Sequence, residues 1–382
     1  MFPVLSITLM LLGVSAETLS AEPHLRQSFD LHVPVPPTRV TVAGESELAY
    51  ELHLTNFGPS GLVVERLEVT DADAGDALVD FDAAALERRL YRPGAGAEDT
   101  DADVRLVDTG TVGVVYLELT VEGSSMPRAL EHRLTFRSAG DAHESTVIEG
   151  ARVSVETESP VVLAPPLRGG PWAAIHDASW PRGHRRYIYA VDGEATIPGR
   201  YAIDWILLDD DGRYARGDED VIDNWLGYGL DVLSVADGTV VAARDDVTES
   251  ALVSEHPDHP LEDATGNYVA IDIGNGRVAF FEHLKPGSVT VQTGDRVRQG
   301  QVIGALGFTG QSTGPHLHFH IADRNSPLGA EGVPFVIGEF ELLGRYPDFD
   351  RFGEDRWAPL PDAMDQRRRS ERPPSNSVVR FE

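Results

Sequence analysis

The sequence contains no cysteine among its 382 residues. This absence excludes disulfide bonds, thiolate nucleophiles, thiolate metal sites and lipid anchors attached to cysteine. Any metal ion that the chain binds must therefore be held by histidine, aspartate or glutamate side chains. Ligands of these types are plentiful, because the chain has 13 histidines and 62 acidic residues.

Basic residues are also scarce: 32 lysines and arginines face 62 acidic residues, which gives a formal net charge of −30. Such a chain is a poor nucleic-acid binder, because phosphate contacts need a basic surface. The same imbalance disfavours binding to anionic membrane surfaces. Beyond the start of the chain, no apolar run reaches the roughly 18 residues of a membrane-spanning helix, so we expect no stable membrane insertion of the mature chain.

The start of the chain predicts a secretory signal peptide over residues 1–21. Residues 1–16 carry no charged side chain, and residues 4–14 form an apolar run that is too short to span a bilayer. Ala21 follows a small residue and could mark the cleavage site. The alternative is that this stretch is an apolar first strand of the next domain. With a signal peptide, the mature chain would be periplasmic or extracellular.

The rest of the chain divides into four predicted segments, and the predicted fold class is all-β. Residues 22–158 alternate apolar and polar side chains over short runs separated by turn signals, which is typical of an antiparallel, immunoglobulin-like β-sandwich. Residues 159–171 are rich in proline and glycine and predict a linker. Residues 172–345 predict a second β-rich domain. Residues 346–382 are polar and predict a partly disordered tail.

Three histidines alternate along one predicted strand: His316, His318 and His320. Side chains two residues apart lie on the same face of a strand, so these imidazoles share one side while Leu317 and Phe319 pack into the core. Burying three imidazoles is costly unless they hold a metal ion or line a wet cleft. The pattern therefore predicts a metal or catalytic site on this strand.

Several short motifs precede this strand in a definite order. They are Asp237-Gly238-Thr239-Val240-Val241, Gly266-Asn267-Tyr268-Val269, Glu282-His283-Leu284, Gly294-Asp295-Arg296-Val297, Gly300-Gln301-Val302-Ile303-Gly304 and Gly307-Phe308-Thr309-Gly310, followed by His316-Leu317-His318-Phe319. In order and spacing, the segment from Tyr201 to Ala322 resembles the lysostaphin-type (LytM-like) zinc metalloendopeptidases of family M23. The resemblance implies an antiparallel β-sheet core domain with one zinc ion per chain, and peptide crosslinks of peptidoglycan as the substrate.

The resemblance also implies roles for individual residues. His318, the second histidine of the His-x-His strand, and Asp204, in Arg200-Tyr201-Ala202-Ile203-Asp204, match two zinc ligands of the family. His283 and His316 match the two histidines that assist catalysis. The implied reaction is hydrolysis of a peptide bond by metal-activated water with help from these histidines.

The chain departs from the family pattern at Arg200, which stands where the family has its first zinc-binding histidine. An arginine stays protonated and has no lone pair to give, so it is not a ligand. A guanidinium about 4 Å from the ion would cost roughly 8 kcal/mol at an effective dielectric of about 20, so Arg200 must turn away from any bound zinc. We expect it to form salt bridges with the acidic insert that follows Asp204, which holds Asp209, Asp210, Asp211, Asp218, Glu219 and Asp220, or to bind a substrate carboxylate. We assign Arg200 and His320 as substrate-binding residues. His259 and Asp263 have the bare His-x-x-x-Asp spacing, but they lie in a predicted loop and we discount them.

Three histidines could supply the missing third ligand. His184 lies 16 residues before Arg200, a distance that suits the preceding strand of a hairpin. His320 shares the strand face of His318, and His316 could bind the ion only at the expense of its catalytic role. We favour His184, and the alternative for this residue is a surface or packing histidine.

Two functions remain open at this point. The first is a secreted metallopeptidase of the M23 type that cuts peptide bonds, with crosslinked peptidoglycan as its partner. The second is a catalytically degenerate module of the same fold that binds peptide or peptidoglycan, or regulates a partner hydrolase. Loss of the first zinc-binding histidine is the observation behind the second function, and metal content distinguishes the two.

Overall fold

A computed structural model of the chain describes residues 27–94, 103–121, 126–141, 144–180, 183–361 and 363–382. The predicted signal peptide, residues 1–21, lies outside the described residues. Across the described ranges, no helix is both long enough and apolar enough to cross a membrane.

The first domain is built from strands and one short helix. Its strands are β1 (Phe29–His32), β2 (Arg39–Val42), β3 (Glu45–Asn56), β4 (Leu62–Asp71), β5 (Ala77–Phe81), β6 (Leu90–Tyr91), β7 (Leu106–Val107), β8 (Val112–Val121), β9 (Ala129–Ser138) and β10 (Ser145–Ser154). Helix α1 covers Ala83–Glu87 and begins after Asp82, whose side chain accepts a hydrogen bond from the backbone N–H of Ala85.

These strands form two antiparallel sheets that enclose a common apolar core. One sheet has the order β1-β3-β8-β6 with β2 also paired to β3, and the other has the order β10-β9-β4-β5 with β7 also paired to β4. Alternation along β3 explains the packing, because Leu48, Leu52 and Leu54 all point into the core. Glu51 faces the other way and is nevertheless buried, because the second domain covers it. The immunoglobulin-like type of this sandwich stays a prediction.

The second domain is also β-rich. Its strands are β11 (Val161–Leu163), β12 (Gly169–Ile175), β13 (Tyr189–Val191), β14 (Glu194–Thr196), β15 (Ile203–Leu207), β16 (Asp231–Leu233), β17 (Gly238–Arg244), β18 (Asn267–Gly274), β19 (Arg277–Leu284), β20 (Arg296–Val297), β21 (Val302–Ala305), β22 (Leu317–Ala322), β23 (Phe335–Arg345), β24 (Ala358–Pro359), β25 (Arg367–Glu371) and β26 (Ser377–Phe381). Short 3₁₀ helices cover His184–Arg186, Pro198–Tyr201, Ile222–Asn224, Val253–Glu255, Leu261–Asp263 and Phe349–Arg351.

A twelve-stranded sheet organises this domain, with the order β11-β23-β26-β12-β15-β22-β19-β18-β17-β20 and with β24 and β25 paired to β23. Strand β11 runs parallel to β23, whereas the central strands from β12 to β18 pair in antiparallel fashion. Leu317 and Phe319 of β22 pack in the core beside Ile203 of β15. The residues that alternate with them lie on the opposite face. The predicted all-β fold class is confirmed.

Two predicted segments need correction, because both contribute strands to this sheet. Strand β11 and the start of β12 lie in the predicted linker, residues 159–171, and pair within the sheet. Strands β25 and β26 lie in the predicted tail, residues 346–382, and β26 sits between β23 and β12. Val378, Val379 and Phe381 of β26 are buried in the apolar cores. The polar composition of the preceding residues therefore hid a core strand at the end of the tail.

We expect the substitution Phe381→Ala to lower the free energy of unfolding by about 3–5 kcal/mol, because it leaves a cavity in a packed core. The Phe381 side chain is buried and meets Trp205 edge-on, with ring centroids 5.3 Å apart. Arg380→Ala is the control, because Arg380 is exposed on the same strand and its loss should cost less than about 1 kcal/mol. Chemical denaturation measures both variants, and equal small losses would show that β26 is not part of the core.

Candidate metal centre

Asp204 and His318 come together because their strands are neighbours in the sheet. Strands β15 and β22 are antiparallel, and Asp204 and His318 are directly opposite each other in register. Opposite residues present their side chains on the same face. The Asp204 Oδ1 atom lies 2.9 Å from His318 Nδ1. The structure thus brings together the two residues that match zinc ligands of the family.

His184 reaches the same point from the short 3₁₀ helix His184–Arg186. Its Nε2 atom lies 2.8 Å from Asp204 Oδ2, and its ring meets that of His318 edge-on with centroids 4.5 Å apart. This approach depends on Gly199, because a Cβ atom there would lie 2.7 Å from the Cβ atom of His184. His184 therefore lies beside the other two groups, although it does so from a helical turn and not from the hairpin strand that its spacing suggested.

The three groups form a compact set of ligand atoms with the chemistry that zinc accepts. One ligand atom from each of His184, Asp204 and His318 lies within 4.8 Å of the others. Catalytic zinc sites commonly have about three protein ligands of the imidazole and carboxylate types and one open position. The residues present therefore fit a zinc ion by their donor types and their spacing.

The environment of Asp204 and His318 favours the protonation states in which these side chains can bind a cation. Burial alone would raise the pKa of Asp204, but the positive charges of His184 and His316 in their protonated forms outweigh it and hold that pKa well below its usual value; a bound cation would act in the same direction. Burial, reinforced by His184, lowers the pKa of His318 to about 4. At neutral pH the carboxyl group is therefore ionised and the His318 ring is neutral, which are the protonation states that metal binding requires.

His283 and His316 lie beside this set, with their ring centroids 4.8 Å apart. The Nδ1 atom of His283 is 2.8 Å from the carbonyl oxygen of Thr309, and that of His316 is 2.8 Å from the carbonyl oxygen of Gly314. Because a carbonyl oxygen only accepts hydrogen bonds, Nδ1 carries the proton in both rings. Each ring is left with Nε2 for chemistry, and in His316 this atom lies 3.4 Å from Asp204 Oδ1.

The backbone at His283 is distorted in a way that serves the site. Its φ angle is 63°, in the left-handed region that is unfavourable for a residue with a side chain. The pairing of β18 with β19 shifts register here, which indicates a β-bulge. The bulge lets the sequence neighbours Glu282 and His283 both line the cleft, whereas a regular strand would direct them to opposite faces.

Glu282 is a residue of this site that the sequence analysis missed. It is buried opposite His318 in register, and its Oε1 atom lies 4.0 Å from His320 Nδ1. Within the described part of the chain, that oxygen has no hydrogen-bond partner. Burial, followed by the charge of Asp204, raises the pKa of Glu282 well above its usual value. Alternation from the core residue Phe281 gives Glu282 the same face as His318, and it is His283 that the bulge brings onto this face.

The predicted substrate-binding role of His320 needs correction. The side chain is only 2% exposed and stacks on Phe280, with ring centroids 4.8 Å apart. Its Nδ1 atom lies 3.2 Å from His318 Nε2. Without a cation, the Asp204 carboxylate at 2.9 Å holds the His318 proton on Nδ1. With a cation at Nδ1, the proton of His318 would move to Nε2, from which it could be donated to His320. The position of His320 therefore suits orienting His318 better than contacting a substrate.

Arg200 turns away from the ligand atoms, and its predicted substrate-binding role also needs correction. Its Nε atom donates to Glu51 Oε2 at 2.7 Å, and its Nη1 atom donates to Glu331 Oε2 at 2.5 Å. The side chain is buried in these two ion pairs. Neither partner belongs to the acidic insert that follows Asp204, so that expected pairing was wrong. Because these two carboxylates already occupy the guanidinium, the position of Arg200 suits a structural role.

The ligand atoms line a cleft of about 1210 Å³. This is larger than the roughly 300–1,000 Å³ of small-molecule sites and leaves room for several residues of a peptide.

His259 also lines the cleft, but Asp263, with which it forms the His-x-x-x-Asp spacing, pairs with Arg244 at 2.7 Å. Among the described residues, neither His259 nor Asp263 belongs to a cluster of metal-ligand atoms, which agrees with discounting this pair.

Residues 220–329 match the family model for peptidase family M23. The chain carries a peptidase family M23 domain. The matched residues include His283, His316 and His318. His184 and Asp204 precede the matched segment, so two of the three grouped ligand residues lie outside it.

Curated relatives and solved structures extend this comparison. The chain is 36% identical over 102 residues to the peptidoglycan DD-endopeptidase ShyA of Vibrio cholerae, an alignment that covers 27% of this chain and 20% of that protein. It is 34% identical over 129 residues to ShyB of the same organism, also named a peptidoglycan DD-endopeptidase, with coverage of 32% and 26%. The chain thus spans only about a fifth to a quarter of the length of these relatives. A zinc-containing peptidase structure from Vibrio cholerae shares 17% identity at a TM-score of 0.23, with coverage of 73% of this chain and 79% of that one.

Proposed function

We propose that this chain is a zinc-dependent peptidase that hydrolyses the peptide crosslinks of peptidoglycan. The observation that carries the proposal is the convergence of His184, Asp204 and His318 in the cleft, with His283 and His316 beside them. The M23 domain supports the reaction class, and the names of the relatives ShyA and ShyB support the substrate. Action on peptidoglycan would place the chain in the periplasm or outside the cell.

In this proposal His184 Nε2, one carboxylate oxygen of Asp204 and His318 Nδ1 would hold the zinc ion. When bound, zinc supplies Lewis acidity, which polarises a carbonyl group and makes water acidic enough to attack near neutral pH. His184 provides the donor that the family finds at the position of Arg200. Although Arg200 occupies the position of the family's first zinc ligand, the chain therefore still offers three ligands for zinc.

His283 and His316 can each transfer a proton at one ring atom only, Nε2. Each ring holds its Nδ1 proton on a backbone carbonyl oxygen, so each takes or gives a proton only at Nε2. One ring takes a proton at Nε2 from the attacking water. The other ring must carry a proton at Nε2 as well as at Nδ1, and from Nε2 it donates a hydrogen bond to the scissile carbonyl oxygen on which negative charge develops. Because both tautomers are set before substrate arrives, the rings need no reorganisation during the reaction.

Zinc content and cleavage of muropeptides test this proposal on the full chain. We expect about one zinc ion per chain by elemental analysis, and conversion of crosslinked muropeptide dimers into monomers. A chelator is expected to stop the conversion, and added zinc to restore it. Uncrosslinked monomers are the control substrate and should stay unchanged. A chain that binds no metal and leaves the dimers intact would support the degenerate binding module instead.

A further inference from the structure

The N-terminal sandwich places a buried carboxylate against the segment that carries His184. Glu51 of β3 is 1% exposed. Its Oε1 atom accepts a hydrogen bond from Arg185 Nη2 at 2.7 Å, and its Oε2 atom accepts one from Arg200 Nε at 2.7 Å. Burial alone would raise the pKa of Glu51, but Arg200 and Arg185 outweigh it and lower that pKa to about 2. An ionised carboxylate therefore bridges two buried guanidinium groups across the domain boundary.

Both residues that follow His184 are anchored on the sandwich. Arg185 also bonds Glu118 of β8 through Nη1 at 3.2 Å. Arg186 lies over the ring of Tyr116 of β8, 4.2 Å from its centroid, and donates to the carbonyl oxygen of Arg88 at 2.9 Å. The helical turn His184–Arg186 has no side-chain hydrogen bond at its N-cap. Arg186 also donates to the carbonyl oxygen of Ala178 in its own domain, at 2.8 Å. Because a single 3₁₀ turn is marginal by itself, its position depends on these contacts, and most of them are with the sandwich.

The second turn against His184 is anchored in the same way. Arg200 belongs to the 3₁₀ helix Pro198–Tyr201, and the neighbouring Gly199 abuts the Cβ atom of His184. The hydroxyl group of Tyr201 donates to the carbonyl oxygen of Ala49 of β3 at 3.1 Å. Glu51 thus ties together the turn that carries His184 and the turn on which His184 rests.

We infer that Glu51 is a positioning residue for the metal centre, and that the sandwich domain holds His184 at the ligand distance. Glu51 touches neither the proposed ligand atoms nor the histidines that carry protons, so it acts only through Arg185 and Arg200. Without its carboxylate, two buried guanidinium groups lose a counter-charge, and moving toward water is their cheapest response. Such a movement takes His184 away from Asp204 and His318. This inference rests on the proposed zinc site.

The test compares zinc affinity in the full chain for the wild type, Glu51→Gln and Arg185→Met, by competition with a coloured chelator. We expect both variants to bind zinc about 10–100-fold more weakly than the wild type, the range seen when partners that orient metal ligands are lost. Glu51→Asp should recover part of the affinity. Glu65→Gln is the control, because Glu65 pairs with Arg137 on the sandwich surface and should leave the affinity unchanged.

A second comparison separates positioning from general loosening of the fold. In the His184→Ala background, adding Glu51→Gln should cause no further loss of zinc affinity, because both changes act through the same ligand. Additive losses would overturn the inference, and so would wild-type affinity in either folded single variant. If Glu51→Gln does not fold, Arg185→Met decides the matter, because it leaves Glu51 paired with Arg200. A wild-type chain that binds no zinc would instead overturn the proposed function itself.

Discussion

Replacing His184 by alanine is expected to weaken zinc binding by more than about 100-fold, because loss of a direct ligand should exceed the effect of losing a partner that only orients one. Muropeptide cleavage at trace zinc should disappear with the metal. His184 lies 2.8 Å from Asp204 and is the only histidine grouped with Asp204 and His318 in one cluster of described ligand atoms. Elemental analysis and chelator competition measure the loss.

His259→Ala is the matched control for this experiment. Its imidazole lines the same cleft and has the family's His-x-x-x-Asp spacing, yet it is outside the described ligand clusters. Zinc affinity of this variant should equal that of the wild type. If His184→Ala keeps its zinc and His259→Ala loses it, the proposed ligand set is wrong.

Replacing either His283 or His316 by alanine is expected to lower kcat by about 100- to 10,000-fold, the usual contribution of a positioned acid or base. Zinc content should stay near the wild-type value, because neither residue is among the three proposed ligands. KM should change much less than kcat, because these rings act on the reacting atoms. Steady-state kinetics on a crosslinked muropeptide, with zinc analysis of the same samples, measures both quantities.

The two histidines should also behave as a unit. The double variant is expected to lose little more activity than the worse single variant, since residues that share one step are not additive. Loss of zinc in the His316 variant would make His316 a ligand, at the expense of its proposed catalytic role. Wild-type kcat in either single variant would remove that residue from the mechanism.

Local patterns were sufficient to predict much of the site. Alternation placed Leu317 and Phe319 in the core and the His-x-His residues on the other face, and the structure has this arrangement. The chemistry of a guanidinium predicted that Arg200 must avoid the ligand atoms, and it does. Each of these inferences depends on a few neighbouring residues and on one rule of geometry or charge.

Long-range partners could not be predicted in the same way. Glu51 lies 134 residues from Arg185 and 149 residues from Arg200 in sequence, and on β3 it stands among apolar side chains as an ordinary polar residue. Glu282 shares the cleft face with its sequence neighbour His283 because of a β-bulge, which the sequence does not reveal. Strand β25 has the sequence Arg-Arg-Arg-Ser-Glu, with no apolar residue, and forms only because it pairs with β23.

The most direct test of the metal centre is an anomalous difference map at the zinc absorption edge, from crystals of the full chain grown with zinc. We expect one strong peak about 2 Å from His184 Nε2, from a carboxylate oxygen of Asp204 and from His318 Nδ1. A peak between Glu282 and His320, or no peak on this face of the sheet, would contradict it.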